Sequence, residues 1–185
     1  MKILAIVGSP RSGGNTSYLV DVTLQEAAKQ GLETEKIVLS KYNVNPCQGH
    51  ENCSAFSECP QKDDAAWILE EFRRAEGIVL ASPVYFMSLS AQMKAFVDRN
   101  NFLYKHHQNI KARCAALISV SAWDGTEEVI RTLAQFIKFS NQGTRIFSIT
   151  GHADKPGAIK HQSETVRKTR EIGNQMAEVL NAHRI

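Results

Sequence analysis

A chain of 185 residues, 43% hydrophobic and 22% charged, is long enough for one substantial core and short for two, and its composition is that of a globular domain rather than a disordered or fibrous chain. A net charge of +3, with Lys and Arg scattered, gives no reason to expect a nucleic-acid or membrane-surface partner. The first strand begins at once, without a leader-like segment, and no apolar run is long enough to cross a bilayer, so the expected location is cytoplasmic and the four cysteines are expected as thiols or metal ligands.

Ile3 to Val7 is an uninterrupted apolar run, which suits a parallel strand covered on both faces. It stops at Gly8 and passes through Ser9-Pro10-Arg11-Ser12-Gly13-Gly14 into Asn15-Thr16-Ser17, side chains suited to capping a helix. Leu19, Val20, Thr23, Leu24 and Ala27 then recur at helical spacing up to Gly31. A flexible polar turn at this place surrounds its contents with unpaired amides and the positive end of a helix, which makes an anion site. Neither the triphosphate P-loop pattern nor the dinucleotide pattern G-x-G-x-x-G occurs. The hydroxyls and amide of Ser9, Ser12, Asn15, Thr16 and Ser17, with Arg11 the only cation of the loop, suit a single terminal phosphate. An ordinary capped strand-to-helix turn would use the same residue types.

Glu35 to Leu39 reads as a second strand, and Asp63 and Asp64 as caps of a helix whose apolar face is Trp67, Ile68, Leu69, Phe72 and Ala75. Ile78 to Ala81 is the third strand, with a turn predicted at Ser82-Pro83. Leu89, Met93, Phe96 and Val97 mark the next helix, and His106 and His107 beside Lys105 read as solvated. Cys114 to Val120 is the fourth strand, with Cys114 a buried inert thiol, and it ends in Ser121-Ala122-Trp123-Asp124-Gly125. Thr126 is set to cap a helix carrying Val129, Ile130, Leu133, Phe136 and Ile137; Ile146 to Ile149 is the fifth strand; Ser163 opens a last helix with Val166, Ile172, Met176, Val179 and Leu180 inside.

Strands and helices in alternation predict one α/β domain over residues 1–185, a doubly wound parallel sheet with helices on both faces. Ligands of such sheets bind beyond the carboxyl ends of the strands, where the turns after the first, third and fourth strands converge. Tyr85, Phe86 and Trp123 place rings on two of those turns and the third is phosphate-receptive, so the ligand implied is mononucleotide-like.

Gly8 to Thr16 and Ser82 to Lys94, in this order and spacing, resemble the NADPH-dependent FMN reductases, and within that group the iron-sulfur flavoproteins, over nearly the whole chain. The resemblance implies a flavodoxin-like five-stranded sheet of order 2-1-3-4-5, FMN as cofactor, NAD(P)H as electron donor, and a flavin, quinone or similar small acceptor. It implies that Ser9, Arg11, Ser12, Asn15, Thr16 and Ser17 hold the FMN phosphate. Pro83, Val84, Tyr85, Phe86 and Ser88 would line the flavin ring, and Ser121, Ala122, Trp123 and Asp124 would close over its far side. No catalytic acid or base is required of the protein, since the flavin carries the chemistry. A homodimer or homotetramer is implied too, with Lys94, Asp98 and Arg99 in packing or subunit contact.

An insertion at about 43–62 carries Cys47, His50, Cys53 and Cys59, spaced C-x2-H-x2-C-x5-C, where the iron-sulfur flavoproteins have Cys in place of His50. Three thiolates and an imidazole suit a 4Fe-4S cluster; a loop that has lost its metal would look the same, and the lesser alternative is a zinc ion held as Cys3His. With a cluster the protein would be an electron carrier serving a ferredoxin-like partner. A non-redox nucleotide or metal binder is the reading from another class. Its receiver-domain form lacks an acceptor Asp at Ser82-Pro83, and its low-molecular-weight phosphatase form lacks a Cys followed by Arg after five residues.

Overall fold

The computed structural model describes residues 1–182. The main elements in chain order are β1 (Lys2–Val7), α1 (Asn15–Lys29), β2 (Glu33–Val38), α2 (Ala65–Arg74), β3 (Gly77–Tyr85), β4 (Ser88–Leu89), α3 (Ala91–Arg99), α4 (Asn101–Lys105), β5 (Cys114–Ser121), α5 (Thr126–Ser140), β6 (Arg145–His152) and α6 (Ser163–Asn181). The long strands form a parallel sheet in the order β2-β1-β3-β5-β6, and β4 hangs antiparallel on the end of β3. With that two-residue strand set aside, this is the expected 2-1-3-4-5 order.

The apolar runs are continuous because the sheet is covered on both faces and strand side chains alternate between them. Ile3, Ala5 and Val7 enter one core with Leu24 of α1 and Met176 and Leu180 of α6. Leu4 and Ile6 enter the other, where Phe72 of α2, Phe96 of α3 and Leu133 of α5 pack. Phe72 and Phe96 meet edge to face at 5.1 Å, and Phe136 stacks on Phe72 at 5.8 Å, so three helices share one aromatic cluster. None of the described helices is long and apolar enough to cross a membrane.

Four local expectations are corrected. Ser82-Pro83 is not a turn: β3 continues through both, opposite Ser119 and Val120 of β5. Pro83 is tolerated there because β1 has already turned away after its last pair, Val7 with Ala81, so β3 is locally an edge. The reversal comes later, at Phe86-Met87. Trp67 lies outside the buried face of α2, edge-on to Tyr42 at 5.2 Å with its indole N–H on the Asp64 carboxylate. Asp64 and Thr126 do not cap through their side chains; Asp64 accepts instead from the amide of Asn43 (2.8 Å), and Gly125 stands at the α5 N-cap. The short helix α4 carries too few residues to show a period in the sequence.

Candidate functional site

Gly8 is where the first loop, β3 and α3 are knotted together. Its amide donates to Ala81 O (2.8 Å) and its carbonyl accepts from Ser90 Oγ (2.8 Å). Ser90 caps α3 by accepting from the Met93 amide (3.2 Å), while its own amide donates to Ser82 Oγ (3.0 Å). A Cβ at position 8 would lie 2.6 Å from Ser90 Oγ and 2.7 Å from Met93 Cβ, so only glycine admits α3 this close.

Past Gly8 the loop folds tightly, with the Arg11 amide on Ser9 Oγ (3.3 Å), the Gly14 amide on Arg11 O (3.2 Å) and Gly13 at φ +72°. Gly14 takes the N-cap of α1, no side chain accepts a capping hydrogen bond there, and the first turn carries no acidic residue. Asn15, Thr16 and Ser17 therefore do not cap the helix, contrary to expectation. The amides of the first turn and the positive helix end are left for an anion.

That loop forms one wall of a cavity of about 310 Å³ at the carboxyl edge of the sheet. Ser9, Arg11, Gly14, Asn15 and Thr16 face Pro83, Val84 and Tyr85 across it, and Ser121 and Ala122 contribute a third side. The three expected turns do converge. A fourth wall, from Ala153, Asp154 and Pro156 after β6, was not expected. The signal for it was the polar, glycine-bounded stretch Gly151 to Gly157 at the end of a parallel strand, the place the other loops occupy.

The expected residues divide by where they point. Asn15 lines the cavity but spends its amide on the fourth wall: Nδ2 donates to Lys155 O (2.8 Å), and Oδ1 accepts from the Ile159 amide (3.4 Å). Ser17 is turned toward β2, its Oγ accepting from Lys36 Nζ (3.3 Å), and Ser12 is exposed outside the lining. Phe86, Ser88, Trp123 and Asp124 are also outside it. Phe86 (105% exposed) and Trp123 (89%) stand free of the core as two rings in solvent. Phe86 and Met87 both have positive φ, +46° and +62°, the mark of a type I′ hairpin turn between β3 and β4. Asp124 Oδ1 accepts from the Gly125 amide (2.7 Å), and Gly125, at φ +87°, lies so near the hairpin that a Cβ would come within 3.1 Å of Met87 Cα. Ser121 Oγ is 3.2 Å from Nδ1 of His152.

A second cavity, about 270 Å³, lies between α4 and the far end of α5, walled by Leu103, Tyr104, Ile110, Phe136 and Phe139. It contains none of the phosphate-receptive groups of the first.

The cysteine insertion is irregular backbone with one short turn at Cys53–Ala55. Cys53 is buried, and burial, followed by the nearby Cys59 and Cys47, pushes its thiol up, with Lys105 opposing. Cys47 Sγ accepts from the Gly49 amide (3.4 Å) and Cys59 Sγ from Arg99 Nη2 (3.4 Å). His50 is turned edge-on to Phe56, ring centres 5.7 Å apart. Among the described residues no three Cys, His, Asp or Glu side chains gather closely enough to hold a metal ion, so the tetrahedral zinc arrangement is not preformed. An iron-sulfur cluster takes its thiolates at wider spacing. Three cysteine sulfurs carried on one loop, with Arg99 Nη2 donating to that of Cys59, suit an anionic cluster on the chemistry of the donors. His106 is half-buried rather than free in solvent: Nδ1 meets Phe102 O at 2.7 Å and Nε2 meets Phe56 O at 2.8 Å, which pins the insertion to α4.

Comparison with known proteins bears on this geometry. Residues 1–150 match the family described as NADPH-dependent FMN reductase. An iron-sulfur flavoprotein of Methanocaldococcus jannaschii is 36% identical, covering 97% of each chain. Among solved structures, RosB with bound 8-demethyl-8-formylriboflavin-5'-phosphate superposes with a TM-score of 0.73 at 18% identity, over 100% of this chain and 82% of that one. A flavodoxin from the domain Archaea gives 0.61 at 15% identity, over 96% and 97%. The chain is a flavodoxin-like α/β protein and belongs to the NADPH-dependent FMN reductase family.

Proposed function

We propose that this protein is an FMN-dependent oxidoreductase that takes electrons from NAD(P)H and passes them to a flavin, a quinone or a similar small acceptor. The carrying observation is the uncapped start of α1 with Arg11, set in one cavity against the apolar wall Pro83-Val84-Tyr85. Ser9, Arg11, Thr16 and the first-turn amides would hold the phosphate; Pro83, Val84 and Tyr85 would orient the ring, with Ser121 and Ala122 on the other side. When bound, FMN supplies acceptance of a hydride and release of electrons singly or in pairs. The residues of the chain bind and orient. Asn15 contributes indirectly, by fixing the wall at 153–159. Trp123 and Phe86, exposed beside the lining residues Ala122 and Tyr85, offer flat apolar surfaces on which a nicotinamide or an acceptor can stack.

A second reading is favoured by the cysteine insertion together with the iron-sulfur flavoprotein relative. In it, Cys47, Cys53 and Cys59, with His50 after reorientation, hold a 4Fe-4S cluster that hands single electrons to a ferredoxin-like partner. Anaerobic purification followed by visible spectroscopy and iron analysis separates the two. Flavin bands alone support the reductase, added broad absorption with iron supports the carrier, and a colourless protein that FMN cannot reload overturns both. Arg11→Ala is expected to weaken FMN binding by about tenfold or more, since a charge-assisted hydrogen bond contributes about 1.5–3 kcal/mol; unchanged affinity on titration would contradict the phosphate assignment.

A further inference from the structure

We propose that Arg99 is the positioning residue of the cysteine loop, a buried clasp that fixes both arms of the loop to the end of α3 and presents a hydrogen-bond donor to the sulfur of Cys59. The electrochemical part of this inference rests on the cluster reading above; the mechanical part does not.

The Arg99 and Asp63 side chains are 1% and 0% exposed. Nη1 of Arg99 donates to Asp63 Oδ2 (2.5 Å) and to Asn45 O (3.1 Å), and Nη2 donates to Cys59 Sγ (3.4 Å). Asp63 also accepts from the amide and Nδ2 of Asn45 (2.9 and 3.2 Å) and from the Ala65 amide (3.1 Å). Asn45 stands two residues before Cys47, and Cys59 four before Asp63. One ion pair therefore gathers the entry and the exit of residues 43–62 onto α3, whose other end is capped by Ser90 in the knot with Gly8.

Stability alone is a poor explanation for this arrangement. Burying two charges is costly, and an apolar pair of similar volume would hold the exit of the loop against α3 about as well or better. What an apolar pair lacks is a rigid fork with one prong on a carboxylate and backbone oxygen and the other on sulfur. Lysine, a point donor, lacks it as well. Hydrogen bonds to cysteine sulfur are among the determinants of the potential of a cluster, because a donor favours the more negative, reduced state.

The test uses the full-length protein with Arg99→Lys and with the double change Arg99→Met/Asp63→Asn, which leaves no unpaired buried charge. In metal-free protein, amide hydrogen exchange across residues 43–62 should quicken at least tenfold in both variants while FMN retention stays as in the wild type. After reconstitution with iron and sulfide, the midpoint potential should fall in the double variant and recover in part in Arg99→Lys. Loop exchange at the wild-type rate in both variants overturns the clasp. A loosened loop whose reconstituted centre keeps its wild-type potential overturns the donor role toward Cys59. A wild-type protein that accepts no iron counts against the cluster reading, and the exchange measurement then still decides the role of Arg99.

Discussion

Cys114 and the loop cysteines show how strongly one residue type is governed by its surroundings. Burial within β5 pushes the Cys114 thiol up to about 12, only partly offset by Arg113 and Arg145, so it stays protonated and unreactive at neutral pH. Mass mapping after alkylation of the native protein at about pH 8 should find Cys47 and Cys59 modified and Cys114 intact until denaturant is added. Modification of Cys114 as fast as Cys47 would contradict this. Burial would raise the Asp63 carboxyl, but Arg99 and the Asn45 and Ala65 amides outweigh it and hold it below its ordinary 3.8. A depressed native value means stabilisation that is present above pH 3.8 and lost as the pH falls through the lower native one. Asp63→Asn should therefore be less stable near neutrality and flatter in its acid unfolding profile; parallel acid profiles would count against that. At this scale the sequence revealed residue types and not directions. Ser9, Arg11 and Thr16 reach the cavity, but Ser17 lies further round the first turn of α1 and meets Lys36 instead.

The elements were largely legible, because a strand buried on both faces must be apolar throughout and a helix on one face must be apolar every third or fourth residue. The failure at Ser82-Pro83 has a physical cause. Proline ends a strand only where its missing N–H is needed, and the departure of β1 removes that need. The true reversal was illegible because Phe86-Met87 has none of the usual turn chemistry: each is held in the left-handed region, at about 1–2 kcal/mol per residue. That strain is carried at an exposed apolar tip beside the cavity, where Phe86 presents its ring to solvent. Phe86→Asn/Met87→Gly, the residues a type I′ turn prefers, should raise the unfolding free energy by roughly 1–3 kcal/mol in denaturant titration and lower turnover with acceptor. A gain in stability with no loss of turnover would separate the tip from function.

For the whole molecule, right-handed crossovers and the position of strand carboxyl ends were enough to bring distant loops to one edge. The cysteine insertion could not be placed in this way. It has no period, and it is held by Arg99 and His106, residues that lie beyond it in sequence. Because the cavity belongs to the folded sheet alone, FMN at a hundred times its dissociation constant should stabilise by about 2.7 kcal/mol, raising the melting temperature by about 5–11 °C for a chain of this size. A melting curve that ignores FMN would contradict the assignment. The span of α3 has a consequence for how this chain can diverge. With Ser90 anchored at one end and Arg99 at the other, one residue added between them would rotate the guanidinium by about 100° and advance it about 1.5 Å, away from Asp63. A one-residue insertion or deletion within α3 would therefore undo the contact, whereas the same change in a surface connection would leave both anchors in place, so the helix works as a ruler between them.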